Sequence, residues 1–303
     1  MNLSLNARPT ARVHESAGSA ESVVLALRNM EVRYPGAESS AIRGISLTVG
    51  KGDRIALVGE SGSGKTTLGM AVAGFLDARA VVTADEFIVN GVSGLGRETA
   101  RMPRRTPGLS MIFQDAMTSL DPVFTIGSQI VTVLRAAEKL SKKDARDRAG
   151  QWLTKVGLTD TGRVMRAHPN ELSGGMRQRA MIAIALAGRP SLLIADEPTS
   201  ALDASLARST MALLMDLASE SGAAVLTISH DIALCRQFSD RTVVMYRGEA
   251  VEEIDSRHLT TQAQHLYTRG LVQCVPRLGT ADVEELPTLE DFFSPDAGLA
   301  KAV

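Results

Sequence analysis

The run Gly59-Glu60-Ser61-Gly62-Ser63-Gly64-Lys65-Thr66, followed by Thr67, has the residue types and spacing of a loop built to hold phosphate. The glycines let backbone N–H groups turn inward onto phosphate oxygens, and the start of a following helix adds positive potential. Lys65 would reach the β- and γ-phosphates, and the Thr66 hydroxyl would ligate Mg²⁺. A second pair of groups suits the same chemistry. Asp196 and Glu197 follow the apolar run Leu192–Ala195. At the end of a buried strand, Asp196 would hold Mg²⁺ through its hydration shell and Glu197 would polarise an attacking water. Phosphoryl transfer is mainly positioning and charge stabilisation, so a base and a metal beside the γ-phosphate are what it needs.

The elements needed to position these groups are legible around them. From Val23 the chain alternates in strand fashion, pauses at Pro35-Gly36 and resumes at Ala41, which predicts an N-terminal antiparallel β subdomain. The short apolar run after Arg54, the glycine loop and the helical pattern from Thr66 to Leu76 open a parallel α/β unit. Ser191–Asp196, Ala223–Ser229 and Arg241–Tyr246 are further buried-strand candidates. Between about 115 and 189 the sequence turns helix-rich. The expected fold is therefore α/β, a P-loop NTPase core with a mainly parallel sheet and an inserted helical subdomain. Residues 1–22 read as a flexible leader, 23–250 as the nucleotide-binding domain, and 251–303 as a C-terminal extension with an acidic tail.

Composition narrows the partners. The 303 residues are 44% hydrophobic and 22% charged, which excludes a disordered or fibrous chain. Lys+Arg of 33 against Asp+Glu of 34 gives a net charge of −1, without the basic excess of a nucleic-acid binder. Cys235 and Cys274 lie far apart, so neither a disulfide framework nor a zinc site is expected, and a reducing cytoplasm follows. The polar N-terminus has no signal-peptide core. The longest apolar stretch, Ala180–Ala187, is far short of the ~20 residues a bilayer span needs. Such a chain does not cross a membrane itself but can sit on one.

A phosphate loop alone admits kinases, GTPases, helicases and transport motors. Leu172-Ser-Gly-Gly-Met-Arg-Gln-Arg179 narrows these, because it resembles the signature sequence of the ATP-binding cassette (ABC) family. The resemblance implies that Ser173, Gly174 and Gly175 open a helix and contact the ATP held by a partner subunit. Other motifs follow in family order. Gln114, in MIFQD, looks like the Q-loop glutamine that senses Mg²⁺ and the attacking water. Ser200–Asp203 looks like the D-loop, and His230, in TISHD, looks like the switch histidine on the γ-phosphate. Tyr34 sits where the family places an aromatic that stacks on adenine.

The resemblance covers roughly residues 23 to 275. MIFQDAMTSLDPVFTIGSQI and HPNELSGGMRQRAMIAIAL look like the oligopeptide/dipeptide/nickel importer branch. HLYTRGLVQCVP resembles that branch's HPYTxxL stretch, with Leu266 in place of proline. Longer members carry a cysteine cluster after it; here only Cys274 is present, so no iron–sulfur cluster is expected, and Cys274 should pack as a small apolar residue. The resemblance implies a motor subunit using ATP and Mg²⁺ on the cytoplasmic face of the inner membrane. It would work with two transmembrane permease subunits, a second cassette (identical or different) and an extracytoplasmic solute-binding protein. A soluble ABC ATPase acting on nucleic acid or ribosomes is a second reading, opposed by the single phosphate loop, the absence of sustained heptads and the balanced charge. An exporter cassette is a third, opposed by the branch resemblance around Gln114 and in the tail.

Overall fold

A computed structural model describes residues 23–94, 106–114, 119–200 and 202–274. The expected leader and the acidic tail lie outside the described residues.

β1 (Val23–Arg33) and β2 (Ile42–Gly50) pair antiparallel, with Leu27 opposite Leu47. Their alternation buries Leu25, Leu27, Ile45, Leu47 and Val49 on one face. The turn after Gly50 does not close another hairpin. β3 (Arg54–Val58) leaves for a second sheet. The first sheet is instead completed by strands not anticipated from the sequence: β4 (Val81–Thr83), β5 (Glu86–Val89) and β6 (Val92–Ser93). α1 (Lys65–Ala73) follows β3 and stops before the predicted Leu76, because Gly74 takes a left-handed φ of 79° and its N–H turns back to the last-turn carbonyls.

The second sheet has six strands in the order β11-β10-β3-β9-β8-β7. These are β7 (Leu109–Ile112), β8 (Leu192–Asp196), β9 (Ala224–Ile228), β10 (Arg241–Tyr246) and β11 (Glu249–Asp255), with β3 inside. All neighbours pair parallel except β10 and β11. The central runs are mostly apolar and buried almost throughout because both faces are covered. Leu192, Ile194, Leu226 and Ile228 pack toward α1 and the antiparallel sheet. Leu193, Ala195 and Val225 point the other way, into the helical layer.

That helical layer contains α2 (Ile126–Ala137), α3 (Lys142–Lys155), α4 (Thr161–Arg166) and α5 (Gly174–Ala187). α3 shows why such a charged segment is a helix at all. Ser141 caps it, accepting from Asp144 N, and a narrow stripe of Ala145, Ala149 and Leu153 is its whole buried face. α5 is buried nearly all round between α2 and the sheet. α6 (Ala204–Ser221), α7 (Ile232–Phe238) and α8 (Leu266–Gln273) are the remaining α-helices among the described residues. Among the described residues no helix is long and apolar enough to cross a membrane.

Candidate active site

Four strands end side by side, and each delivers a predicted group. In sheet order β3, β9, β8 and β7 run parallel, so their carboxyl ends share one edge. The loop 59–64 leaves β3, His230 follows β9, Asp196 and Glu197 end β8, and Gln114 follows β7. This is the edge where open α/β sheets place ligands. Residues spread from 59 to 230 in sequence therefore meet.

The phosphate loop has its shape from glycine. Gly59, Gly62 and Gly64 all have φ in the region closed to most side chains, at 150°, 80° and 101°. At Gly59 a Cβ would collide with the Met245 carbonyl, and at Gly64 it would stand 2.8 Å from Ala41 O. Lys65 Nζ lies inside this loop, donating to Gly59 O and Glu60 O at 2.7 Å each. Burial pushes the Lys65 ammonium down from its usual range, against the upward pull of Glu197, Asp196 and Glu60.

Thr66 Oγ1 donates to Asp196 Oδ1 at 3.2 Å. Burial raises the Asp196 carboxyl above the usual carboxylate range, while the Thr66 hydrogen bond works against that rise. A hydroxyl and a poorly hydrated carboxylate at this spacing fit a small hard cation that completes its shell with phosphate and water. Among the described residues no cluster of three or more His, Cys, Asp or Glu forms a cage by itself.

Glu197 sits at the junction. Its φ of 45° is rare for a residue with a side chain, and its N–H donates to Ile228 O at 2.8 Å, fixing the turn after β8 to β9. One carboxylate oxygen accepts from Gln114 Nε2 at 3.2 Å and the other stands 3.1 Å from His230 Nδ1. His230 is itself held in a tight turn: Ser229 Oγ accepts Asp231 N, and Asp231 caps α7. The chemistry available is a carboxylate that could act as a base, two polar neighbours that orient it, a buried ammonium, and a hydroxyl–carboxylate pair that could hold a cation.

Tyr34 comes to the rim of this site, its hydroxyl 3.3 Å from Thr67 Oγ1. Asp203 caps α6 through the N–H groups of Ser205 and Leu206. Ser173 caps α5, accepting from Met176 N at 3.3 Å. The hydrogen bonds of Ser173 stay within its own helix among the described residues, and α5 packs on the sheet face opposite α1. Ser173, Gly174 and Gly175 are thus not brought to this chain's phosphate loop.

Two contacts escaped the sequence reading. Gln178 Nε2 donates to Pro198 O, tying the helix that begins at the signature to the segment after Glu197. Tyr267 donates its ring to the core and accepts Glu60 N–H on its hydroxyl at 2.8 Å. The HLYTRGL stretch marked that tyrosine without indicating its place. Cys274 is half-buried at the end of α8, while Cys235 is the fully buried thiol.

Residues 42–200 match the ABC transporter family. The dipeptide transport ATP-binding protein DppD of Bacillus subtilis is 38% identical over 282 residues, 91% of this chain and 84% of its own length. The glutathione import ATP-binding protein GsiA of Escherichia coli K12 is 38% identical over 265 residues. That match takes in 84% of this chain but only 42% of GsiA. Among solved structures, CbiO1 of Clostridium perfringens, part of the ABC transporter complex CbiONQ, superposes with a TM-score of 0.67 at 22% identity, over 80% of this chain and 92% of that one. A dimeric ATP-binding cassette in a post-hydrolysis state, bound to ADP and Pi, gives 0.62 at 30% identity, over 77% and 99%.

Proposed function

The chain belongs to the ABC transporter family as an ATP-hydrolysing subunit of the importer kind, and from that premise we propose that it drives uptake of peptides or a similar small solute. The observation that carries the catalytic part is the Glu197 carboxylate held between His230 Nδ1 and Gln114 Nε2, beside Lys65 and the Thr66–Asp196 pair.

ATP would lie along the loop 59–64, with its base against Tyr34. Lys65 would exchange the Gly59 and Glu60 carbonyls for phosphate oxygens. Thr66 and Asp196 would hold magnesium, which when bound offsets charge on the phosphates. Glu197 would take the proton from the attacking water, with Gln114 and His230 fixing its carboxylate. Ser173–Gly175 would serve the nucleotide of a second cassette, identical or different, because α5 packs on the sheet face away from α1.

The relatives' names support the importer assembly, in which two permeases and an extracytoplasmic binding protein would complete the machine at the inner face of the cytoplasmic membrane. A cavity of about 200 Å³ beside Gln114, lined by Phe75, Leu109, Phe113, Val133 and Met181, supports a permease element docking there. Val123 and Phe124, 73% and 55% exposed, give an apolar surface nearby in sequence.

The test is to tag the chain in its own host, solubilise membranes gently and identify co-purifying proteins by mass spectrometry. Two polytopic permeases, with or without a second cassette, are expected. Ribosomal or repair proteins without any permease would overturn the transport reading and leave the ATPase chemistry standing.

A further inference from the structure

The peptide unit joining Gly59 to Glu60 is gripped from both ends. Its carbonyl accepts from Lys65 Nζ at 2.7 Å, and its N–H donates to the Tyr267 hydroxyl at 2.8 Å. In a trans peptide these two groups point opposite ways, so the pair of contacts fixes the orientation of the whole plane. Gly59 has no side chain to restrain its own rotation, and its φ of 150° is one that few other residues hold. Lys65 supplies one restraint from within the loop, and the other comes from outside it.

Tyr267 is built to supply it. Its side chain is fully buried against Ala56 and Val58, the strand that leads into the loop. Its ring stacks on Tyr246 with centroids 4.3 Å apart. The helix that carries it is moored in turn: Glu252 accepts the N–H groups of Gln264 and His265, and His265 Nδ1 accepts Tyr267 N–H. A residue 207 positions along the chain thus reaches the second residue of the phosphate loop.

We propose that Tyr267 is a positioning residue for ATP binding: its hydroxyl holds the Gly59–Glu60 peptide plane, and through that plane's carbonyl it stations Lys65. The inference rests on the reading of 59–66 as the ATP-binding loop. When Lys65 turns to phosphate, the plane stays where Tyr267 holds it, and the loop meets the nucleotide already shaped. Without the hydroxyl, Glu60 N–H is left without this partner, and rotating the plane to satisfy it displaces the carbonyl that seats Lys65.

The test compares Tyr267→Phe with Thr268→Val in the full chain. Thr268 Oγ1 is buried on the same helix with no hydrogen-bond partner among the described residues, so its removal controls for loss of a buried hydroxyl as such. A fluorescent ATP analogue reports affinity. Tyr267→Phe should raise Kd by a factor on the order of ten, the worth of one net hydrogen bond, and Thr268→Val should leave it unchanged. In the wild-type chain without nucleotide, hydrogen exchange should show the Glu60 amide protected. Equal Kd values for Tyr267→Phe and wild type, equal losses in both variants, or a Glu60 amide that exchanges at the rate of an open loop would each overturn the inference. The protection measurement stands even if Tyr267→Phe does not fold. Failure of the wild-type chain to bind the analogue would instead overturn the ATP reading beneath it.

Discussion

Glu197 Oε1 stands 3.1 Å from His230 Nδ1 although Glu197 is only 19% exposed and His230 is 66% exposed. The carboxylate is withdrawn while its partner faces solvent, so the imidazole is the more accessible of the two. Gln114 holds the other oxygen. A water taken up between Glu197 and a γ-phosphate would find its acceptor already oriented, which is where general-base catalysis gains most.

Glu197→Gln keeps the shape but leaves one amide oxygen where two carboxylate oxygens stood, and it removes the proposed base. Turnover should fall by about 10²–10⁴-fold, with nucleotide affinity retained. Phosphate release and analogue binding measure the two separately, and gel filtration should show an ATP-bound dimer accumulating. Hydrolysis at the wild-type rate would refute the assignment.

Lys65→Ala should act on both quantities. Nζ shares the buried site with Asp196 and Glu197, whose charges act on it, and it is the group proposed to exchange the Gly59 and Glu60 carbonyls for phosphate. Its loss should abolish hydrolysis and weaken nucleotide binding at least about tenfold, since a charge-assisted hydrogen bond is worth more than a neutral one. Unchanged affinity by the same analogue titration would show that the loop binds phosphate through its backbone alone.

The loop glycines separate two kinds of backbone requirement. At Gly62 no atom lies within 4 Å of a new Cβ, so Gly62→Ala meets only the φ of 80° and should cost about 1 kcal/mol. At Gly59 a Cβ meets the Met245 carbonyl, a backbone atom of β10 that cannot move aside without distorting the sheet. Gly59→Ala should therefore cost about 3 kcal/mol or more. Urea unfolding of the nucleotide-free chain distinguishes them, and equal midpoints would contradict the strand contact.

What the sequence disclosed follows from where its patterns were strong. β3, β8, β9 and β10 are short runs of buried residues, and the groups at their ends could be placed before the sheet order was known. β4 and β6 gave no such pattern, because Val81 and Val92 are half exposed on a sheet margin and a strand of two or three residues has no period to detect. β7 is four residues long and was hidden ahead of Gln114, the residue it positions. The Tyr267–Glu60 contact joins two segments at opposite ends of the chain. Only packing brings them together, and no local spacing encodes it.

The cysteines offer a check on the packing under His230. Cys235 lies on α7, one turn beyond His230, and is 1% exposed. Burial and the neighbouring Asp231 carboxylate push its thiol up to about 12, against the lowering effect of a hydrogen bond with Ser229. A raised thiol pKa means that the reactive thiolate is scarce: at pH 8 it is roughly one part in ten thousand, against about a quarter for an ordinary thiol. Cys274 is half-buried at the end of α8, so it is the more exposed of the two thiols. Titration of the native chain with a chromogenic disulfide at pH 8 should therefore give one thiol reacting promptly, and a second only after denaturant is added. Mass mapping should place the prompt label on Cys274. Prompt labelling of Cys235 in the folded chain would mean that α7 opens readily, and that the turn holding His230 against Glu197 is not the fixed element described above.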